Sequence, residues 1–421
     1  MKIKLYSIRN IINRKFDKKS LEKIYNIFIS DYKRISLNKN RIIRLKFFLL
    51  IFCFNPFIFP NKFWINFILS ISNNELRYNF QKETINIFNR ISLHKLSLKD
   101  LDLLYVLSLR FGLYRISYVI RQKMMRLSLK NLKSKSINQI DLIKGTAALI
   151  ELRQYKIAIS FIKKITNKLD KDLFNNYLYI MKGIGFSIEE SNLNEKNDTY
   201  GLHFKNLIKN RSILIVGPTS IKTEKVEKFD ISILCNYLNN KKQNKFDDHL
   251  STSNLSYLSS EQSIYFNNIQ FFNNKIDFFI TRSKLTKDKI LLKNPDLKIR
   301  NTLNFKNVLY RGNLNLIPNA IFDILYSNQA IKKLHIIKSD LMLTIDRSPS
   351  YYPSEWKREG RMKEIFLLGM SISHDPITQF RHLSNLYKKN IISGDLLFSN
   401  TMNGGLIKYI NNLEKIYGIK I

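Results

Sequence analysis

The segment from Arg211 to Asn236 restricts the possible folds of this chain more than any other segment. It contains two short apolar runs, Ile213–Val216 and Ile231–Cys235, and a loop of small residues follows the first run directly. Short runs rich in β-branched residues are typical of buried strands in a parallel sheet. The charged spacer between the runs has room for about two helical turns at most. The segment therefore predicts two parallel strands joined by a short crossover. The loop after the first strand is of the kind that binds a phosphate or nucleotide.

The rest of the C-terminal half continues this alternation of short apolar runs and helical stretches. Further strands are predicted at residues 278–280, 308–309, 334–337 and 366–368, and helices at 317–332 and 406–417. The polar stretch 239–270 is predicted to be a surface insertion with the character of a lid. Alternating strands and helices favour an α/β fold, a Rossmann-like parallel sheet with helices on both faces.

Residues 1–200 have a different pattern, in which apolar residues recur at spacings of three and four, as in helices. Two stretches resemble each other at an offset of 41 residues: Tyr114 corresponds to Tyr155, and the small Ser117 corresponds to Ala158. This pattern predicts an all-α domain built from helical-hairpin repeats, with an irregular helical bundle as the alternative. The polar stretch 187–200 predicts a linker to a second domain at residues 201–421.

The chain carries 70 Lys and Arg residues against 33 Asp and Glu residues, a formal net charge of +37. Such an excess is typical of proteins with an anionic partner: an acidic membrane surface, a phosphorylated substrate or nucleic acid. The excess runs along the whole chain without a compact basic patch, so nucleic acid is the least favoured partner. A composition bias toward Asn, Ile and Lys explains the charge equally well.

The two cysteines, Cys53 and Cys235, both lie in apolar runs, which predicts buried free thiols and a reducing compartment. Cysteine and histidine form no cluster with the spacing of metal ligands, so no metal site is predicted. The N-terminal residues lack the apolar centre of a signal peptide. The most apolar segment, Phe47–Pro60, is shorter than a spanning helix of about 20 residues and predicts a buried helical hairpin, with a re-entrant or interfacial membrane contact as the alternative.

Three features carry chemistry of their own: the loop Gly217–Ser220, Asn236 and His374. Gly217 lets the backbone approach a ligand closely and Ser220 offers a hydroxyl, although an ordinary strand-to-helix turn has the same pattern. Asn236 offers hydrogen-bond donors and an acceptor directly after a strand, but it equally suits a turn that ends the strand. His374 lies in a small-residue loop and can accept a proton near neutral pH. Alternatively, Asp375 begins the next helix and His374 only lies beside it.

Taken in order, these motifs resemble those of bacterial sialyltransferases. The shared features, in chain order, are the glycine-containing loop at Gly217–Ser220, then Phe229–Ile231, Cys235–Asn236, the helix opened by Asn319, the segment 330–340 that ends on Ser339–Asp340, and Ser373–Pro376 before the closing helix. The resemblance covers about residues 211–421 and no part of the N-terminal half. Leu341 and Met342 stand where that family has an aromatic residue.

The resemblance implies a role for each matching residue. The donor nucleotide, a CMP-sugar, would be held by Gly217, Pro218, Thr219, Ser220, Asn236, Asn319 and Asp340. His374 would be the general base for the acceptor hydroxyl, and Tyr351 and Tyr352 would stabilise the departing phosphate. Apart from the resemblance, Arg347, Lys357 and Arg358 lie in the same interval, and their positive charge suits them to contact phosphate. The implied reaction inverts the sugar and needs no metal and no cofactor besides the donor substrate.

The predicted function is therefore that of a glycosyltransferase, which transfers a sugar, sialic acid from CMP-sialic acid, to a cell-surface glycan. The protein is expected in the cytoplasm, peripheral at the inner face of the cytoplasmic membrane. Two alternatives remain open. One is a non-enzymatic helical-repeat adaptor with a degenerate nucleotide-binding domain, and the other is a nucleic-acid-binding protein explained by its charge.

Overall fold

The computed structural model describes residues 61–72, 75–134, 136–164, 168–183, 185–186, 199–222, 226–235, 251–258, 276–282, 284–293, 295–302, 309–327, 330–347 and 362–418. Helices form the described part of the chain before the first strand. Several predicted features lie outside these residues: Cys53 and the hairpin at Phe47–Pro60, most of the linker, Asn236, Val308, Tyr351, Tyr352, Lys357 and Arg358.

The described helices before the first strand are α1 (Asn61–Ser72), α2 (Arg77–Arg90), α3 (Leu98–Arg110), α4 (Tyr114–Asn131), α5 (Gln139–Glu151), α6 (Tyr155–Ile162), α7 (Lys168–Gly183) and α8 (Thr199–Ile208). A short 3-10 helix at Leu93–Lys95 lies between α2 and α3. No strand is found among the described residues before Ser212. The predicted all-helical character of the N-terminal region is confirmed.

Two helical hairpins, α3–α4 and α5–α6, have the same local geometry at the predicted offset. The N-cap side chains of α3 and α5 each accept a hydrogen bond from the backbone N–H three residues later. Between the helices, Gly112 and Arg153 both adopt left-handed backbone, with φ of 66° and 64°. The next residue in each turn donates its N–H to the carbonyl five residues back at 2.8 Å. Ser117 and Ala158 are fully buried, as expected for small residues where two helices meet.

A seven-stranded sheet forms the centre of the second part of the described chain. Its strands are β1 (Ser212–Val216), β2 (Ile231–Cys235), β3 (Ser253–Leu258), β4 (Phe278–Thr281), β5 (Ile299–Asn301), β6 (Lys333–Ile337) and β7 (Ser393–Gly394). Every neighbouring pair is parallel, in the order β5-β4-β3-β2-β1-β6-β7. All of β2 and the last four residues of β1 are buried, as in parallel strands covered on both faces.

The described helices of this part are α9 (Lys284–Lys293), α10 (Leu316–Ser327), α11 (Met362–Leu368), α12 (Pro376–Lys388), α13 (Leu396–Asn403) and α14 (Gly405–Tyr417), with a π-helical turn at Gly369–Ser373. Together with the parallel sheet, they confirm the predicted Rossmann-like α/β fold. Between β1 and β2, the described residues 217–222 and 226–230 form no helix, which agrees with the short crossover expected there.

The strand order reverses at β1. Strands β2 to β5 extend the sheet in one direction from β1, whereas β6 and β7 extend it in the other direction. The loops that leave β1 and β6 therefore start side by side at the carboxyl edge of the sheet. In open parallel sheets, such a reversal opens a crevice between these loops, and ligands bind there. The sheet topology thus selects one position for a candidate site.

The prediction for residues 239–270 was wrong in one respect, because this stretch contains the buried strand β3. Its polar residues fit the interior because they are small or hydrogen-bonded. Ser256 is fully buried, and the side chain of Asn254 donates to the carbonyl of Ser251 at 3.1 Å. The hydroxyl of Ser251 in turn lies 2.6 Å from that of Ser232 on β2. Apolar periodicity alone therefore does not reveal this strand.

Two further predictions of strands were also wrong. Residues Phe366–Leu368 belong to the helix α11. The prediction failed because a short apolar run is compatible with a buried helix as well as with a strand. Leu309 lies in a bend rather than in a strand. The predictions at 278–280 and 334–337 are confirmed as β4 and β6, and the helices predicted at 317–332 and 406–417 are confirmed as α10 and α14 with small differences at their ends.

A buried polar cluster attaches α10 to the sheet. The hydroxyl of Tyr257 on β3 donates a hydrogen bond of 2.7 Å to the carboxylate of Asp323 on α10. Arg300 on β5 forms an ion pair with the same carboxylate. Burial raises the pKa of Tyr257 well above its ordinary value, with the charge of Asp323 as the next cause, so its hydroxyl keeps the proton that it donates. This cluster sets the position of α10, whose first turn reaches the carboxyl edge of the sheet.

The chain divides into two compact units. The first unit contains residues 1–135, 367–372 and 410–421, and the second contains 136–366 and 373–409. Helices α5 to α8 therefore group with the sheet. Within the first unit, the carboxylate of Glu414 on α14 accepts hydrogen bonds from the side chain of Gln81 and, at 3.0 Å, from the backbone N–H of Arg115.

Among the described helices, none combines the length and the apolar character that crossing a lipid bilayer requires.

Candidate functional site

A small cleft lies at the carboxyl edge of the sheet, where the strand order reverses. Its volume is about 90 Å³, room for roughly six to nine water-sized groups. Four segments and one further side chain line it: Pro218–Thr219 after β1, Cys235 at the end of β2, Asn315–Pro318 at the start of α10, Ser339–Met342 with Arg347 after β6, and Phe366. The cleft therefore occupies the position that the topology selects.

The loop after β1 packs tightly against the loop after β6. The N–H of Gly217 donates to the carbonyl of Ile337 at 2.8 Å, and a side chain at this position would overlap the carbonyl oxygen of Lys338. Two residues after Gly217, Thr219 forms an antiparallel bridge with Arg347. Only glycine allows this close approach of two backbones. The glycine at 217 therefore shapes the floor of the cleft rather than lining it.

Backbone strain is concentrated in the loop after β6. Lys338, Leu341 and Met342 all adopt left-handed backbone, with φ of 55°, 53° and 77°. Non-glycine residues in this region are destabilised by about 1–3 kcal/mol each, and such residues cluster at functional sites. Tertiary contacts hold them: Asp395 accepts the N–H of Lys338 at 2.9 Å, and the hydroxyl of Tyr409 donates to the carbonyl of Leu341 at 2.8 Å. The strain lies in the lining of the cleft.

Asp340 is the buried acid of this loop. Only 2% of its surface is exposed, and its Oδ1 atom has no hydrogen-bond partner in the described part of the chain. Burial raises the pKa of Asp340 above its ordinary value, although a hydrogen bond from Thr344 and the charge of Arg347 act in the opposite direction. Among the described residues, one carboxyl oxygen of this cleft-lining acid thus remains an unused acceptor.

His374 lies between the π-helical turn and α12 and is half-buried. Its Nδ1 atom is 3.1 Å from the backbone carbonyl of Asn313, which only accepts hydrogen bonds, so Nδ1 carries the proton and Nε2 is the acceptor. Burial lowers the pKa of His374 to about 4, assisted by the positive charge of Arg282 and opposed by the hydrogen bond to Asn313. The imidazole is therefore neutral at physiological pH.

The loop that carries His374 is also a helix start. Asp375 is the N-cap of α12, and its carboxylate accepts the N–H of Thr378 at 2.8 Å, with Pro376 at the first helical position. The helix-start interpretation of this motif is confirmed. The capping contacts are made by Asp375 and do not use the imidazole of His374. The two sequence interpretations are compatible.

The structure brings some of the predicted site residues together. Pro218, Thr219 and Asp340 line the cleft, as does Arg347. Ser220 is exposed and Asn319 is buried within α10, and neither is among the lining residues. His374 is not a lining residue either, but it contacts Asn313, two positions before the cleft residue Asn315. The predicted roles of Asn236, Tyr351 and Tyr352 concern residues outside the described part of the chain.

Sequence reasoning missed three residues at this edge of the sheet. Asn315 lines the cleft and its side-chain amide donates to the sulfur of Met342 at 3.3 Å. Cys235 is a free buried thiol, as predicted, but it also lines the cleft, and burial raises its pKa to about 12. Arg282, directly after β4, lowers the pKa of His374 by its charge. An asparagine before a predicted helix is a recognisable signal, whereas the other two positions have none.

Within the described residues, no group of three or more His, Cys, Asp or Glu side chains is arranged to hold a metal ion. Searches of protein-family models, of curated proteins and of solved structures found no match to this chain.

Proposed function

We propose that this protein is a glycosyltransferase of the sialyltransferase-like type, which transfers a sugar from a CMP-sugar donor to a glycan acceptor. The proposal rests on the cleft at the reversal of the strand order. This cleft combines the loop after Gly217, the buried acid Asp340 and the basic side chain of Arg347. Parallel sheets bind nucleotides at this place. The order of motifs that resembles bacterial sialyltransferases supports the choice of a sugar donor.

The donor nucleotide would occupy the cleft. The cleft would hold part of the nucleotide, and Gly217 supports it by letting the loops after β1 and β6 approach closely enough to form its floor. The guanidinium of Arg347 would attract the phosphate, and it is already oriented by its stacking on the ring of Phe366, 4.5 Å away. Tyr351 and Tyr352 follow Arg347 closely in the chain and would complete the phosphate contacts.

His374 would act as the general base. Its Nε2 atom accepts the proton of the acceptor hydroxyl while the hydroxyl oxygen attacks the anomeric carbon of the sugar, and the bond from that carbon to the CMP phosphate breaks. The acceptor attacks opposite the departing phosphate, so the sugar configuration inverts. The hydrogen bond from Nδ1–H to Asn313 supports this role, because it holds the tautomer in which Nε2 is unprotonated.

Nucleotide binding tests this proposal directly. We expect CMP and CDP to raise the melting temperature of the full-length protein, because a ligand that binds only the folded state stabilises it. CMP-sugars should be hydrolysed slowly or transferred when an acceptor glycan is present, which a screen of nucleotide sugars will detect. ATP at the same concentration is the control for nonspecific anion binding. No shift with CMP or CDP would contradict the proposal and favour the adaptor alternative, which the paired helical hairpins also fit.

We further propose that the protein works in the cytoplasm at the inner face of the membrane, where its net charge of +37 favours anionic lipid. Sedimentation with vesicles provides the measurement. Binding should be strong to vesicles with phosphatidylserine, weak to pure phosphatidylcholine, and should decrease between low and physiological salt because salt screens the attraction. Equal binding to both kinds of vesicle, or no binding at low salt, would contradict this placement.

A further inference from the structure

A basic surface is formed within the second compact unit by two segments that are far apart in the sequence. One segment is the hairpin α5–α6, and the other is the end of α12. Arg153, in the turn of the hairpin, donates a hydrogen bond from Nε to the side-chain oxygen of Asn385 on α12. The ammonium group of Lys389 lies 5.2 Å from the centre of the Tyr155 ring on α6. These contacts bring the positive charges of the two segments together.

This surface, called here the α6–α12 surface, has six exposed basic side chains: Arg153, Lys156, Lys163, Lys164, Lys388 and Lys389. The segments 152–164 and 382–394 contain no Asp or Glu. The acid that precedes the first segment, Glu151, is buried and forms an ion pair with Arg381 at 2.7 Å, which compensates its charge. A compact basic patch was not recognisable in the sequence, because 232 positions separate the residues that join the two segments.

The outward side of α6 combines lysines with apolar side chains. The buried residues of α6 lie on the opposite side of the helix: Tyr155, Ala158 and Ile162. Ile157 is 51% exposed, and Leu152, in the turn before α6, is 38% exposed. Apolar side chains that stay exposed among charged ones are typical of surfaces that bind a partner.

The mixture of lysines and aliphatic side chains distinguishes between anionic partners. The phosphate backbone of a nucleic acid is polar, and proteins that also contact its bases use aromatic rings for stacking. At a membrane surface, by contrast, aliphatic side chains enter the boundary of the acyl chains while lysines extend to the headgroup phosphates. Leu152 and Ile157 among the lysines therefore favour a membrane of anionic lipid over nucleic acid.

We propose that the α6–α12 surface is the part of this protein that contacts an anionic membrane, with Leu152 and Ile157 at the acyl-chain boundary and the six basic side chains at the headgroup phosphates. This inference rests on the proposed placement of the protein at the inner face of the membrane. It goes further because it assigns the contact to one surface of the second compact unit rather than to the net charge of the whole chain.

Helix α9 provides a matched comparison within the same compact unit. It also exposes two lysines and two leucines, with Leu285 65% exposed and Leu292 84% exposed. However, the exposed acid Asp288 lies between these leucines on the outward side of α9. A carboxylate repels headgroup phosphates. We therefore expect α9 to contribute less to membrane binding than α6, although its leucines are more exposed.

Charge reversal tests the surface in the full-length protein. The surface variant reverses three lysines on and directly after α6: Lys156→Glu, Lys163→Glu and Lys164→Glu. Sedimentation with vesicles of phosphatidylcholine and phosphatidylserine measures the partition coefficient. This coefficient should decrease at least about 100-fold, since each basic side chain at such a membrane contributes about fivefold. The melting temperature should stay close to that of the wild type, because all three side chains are exposed.

The control variant has the same net charge as the surface variant but reverses three exposed lysines on and after α9: Lys284→Glu, Lys289→Glu and Lys298→Glu. Its partition coefficient should decrease by less than about 10-fold, because salt screens charges that lie farther from the membrane than the Debye length. Equal decreases for the two variants would show that binding follows net charge alone, and would overturn the proposal.

A second pair of variants tests the apolar contact. Leu152→Ser combined with Ile157→Ser should weaken partitioning about 10-fold, because less apolar surface leaves water on binding. Leu285→Ser combined with Leu292→Ser is the matched control on α9 and should leave partitioning unchanged. Wild-type partitioning of the first pair would contradict the position of Leu152 and Ile157 at the acyl-chain boundary.

The remaining outcomes separate this inference from the proposed placement. A wild type that does not bind these vesicles would contradict the placement itself. A wild type that binds them, together with a surface variant that binds them equally well, would overturn only the role of the α6–α12 surface. A surface variant that loses affinity for duplex DNA but keeps its affinity for the vesicles would assign the surface to nucleic acid, which also overturns the inference.

Discussion

A His374→Ala variant should transfer sugar about 100- to 10,000-fold more slowly than the wild type, the usual range for removal of a general base. The physical reason is that Nε2 is the only ring nitrogen of His374 able to accept a proton, since Nδ1–H donates to Asn313. CMP binding should remain within a few-fold of the wild type, because His374 is not a lining residue of the cleft. The measurements are kcat and KM for transfer, and Kd for CMP.

His94→Ala is the control for this experiment, because His94 is exposed on the short 3-10 helix after α2 and should leave transfer unchanged. The pH dependence provides a second measurement. A base acts only when unprotonated, and burial with the charge of Arg282 lowers the pKa of His374 to about 4. The contribution of His374 to kcat/KM should therefore be constant above about pH 5 and decrease as the pH falls toward 4. Full activity of His374→Ala would remove this residue from the mechanism.

A Gly217→Ala variant should unfold more easily than the wild type by about 3 kcal/mol, the upper part of the usual range for overpacking. The added methyl group would overlap the carbonyl oxygen of Lys338 and would lie 2.8 Å from its carbonyl carbon, and backbone atoms cannot move aside as a flexible side chain does. Urea denaturation measures the free energy of unfolding. CMP binding should also weaken, because the two loops that form the cleft are forced apart.

Gly201→Ala is the matched control, since nothing lies within 4 Å of a methyl group built at this helical position. It should stabilise the protein by up to about 1 kcal/mol, the difference between alanine and glycine in a helix. Equal free energies of unfolding for the two variants would show that the approach of the β1 and β6 loops is not as close as described.

Local sequence patterns were sufficient for elements whose pattern has one interpretation. The β-branched runs of β1, β2 and β6 and the periodic apolar residues of α14 predicted these elements correctly. Local patterns failed where the burial and the hydrogen-bond partners of a residue depend on segments that are distant in the chain. The serines and asparagine of β3 are buried only because neighbouring strands supply partners, and the apolar run at Phe366 formed a helix because a short run fits either state.

Some features of the candidate site were predictable from local sequence, and others were not. The loop at Pro218 and Thr219 and the acid Asp340 are recognisable in the sequence, and they do line one cleft. The sequence contains no signal for the left-handed backbone of Leu341 and Met342, which depends on hydrogen bonds from distant residues. Nor does it indicate that Oδ1 of Asp340 is buried with no hydrogen-bond partner among the described residues.

The sequence by itself determined the α/β class of the C-terminal part, the helical N-terminal part and the order of the chemical groups along the chain, because these depend on interactions between residues a few positions apart. Only the tertiary structure decided which of those groups meet. The reversal of strand order at β1 brings the β1 and β6 loops together although about 120 residues separate them. Contacts over such separations depend on how the whole core packs, which no local pattern encodes.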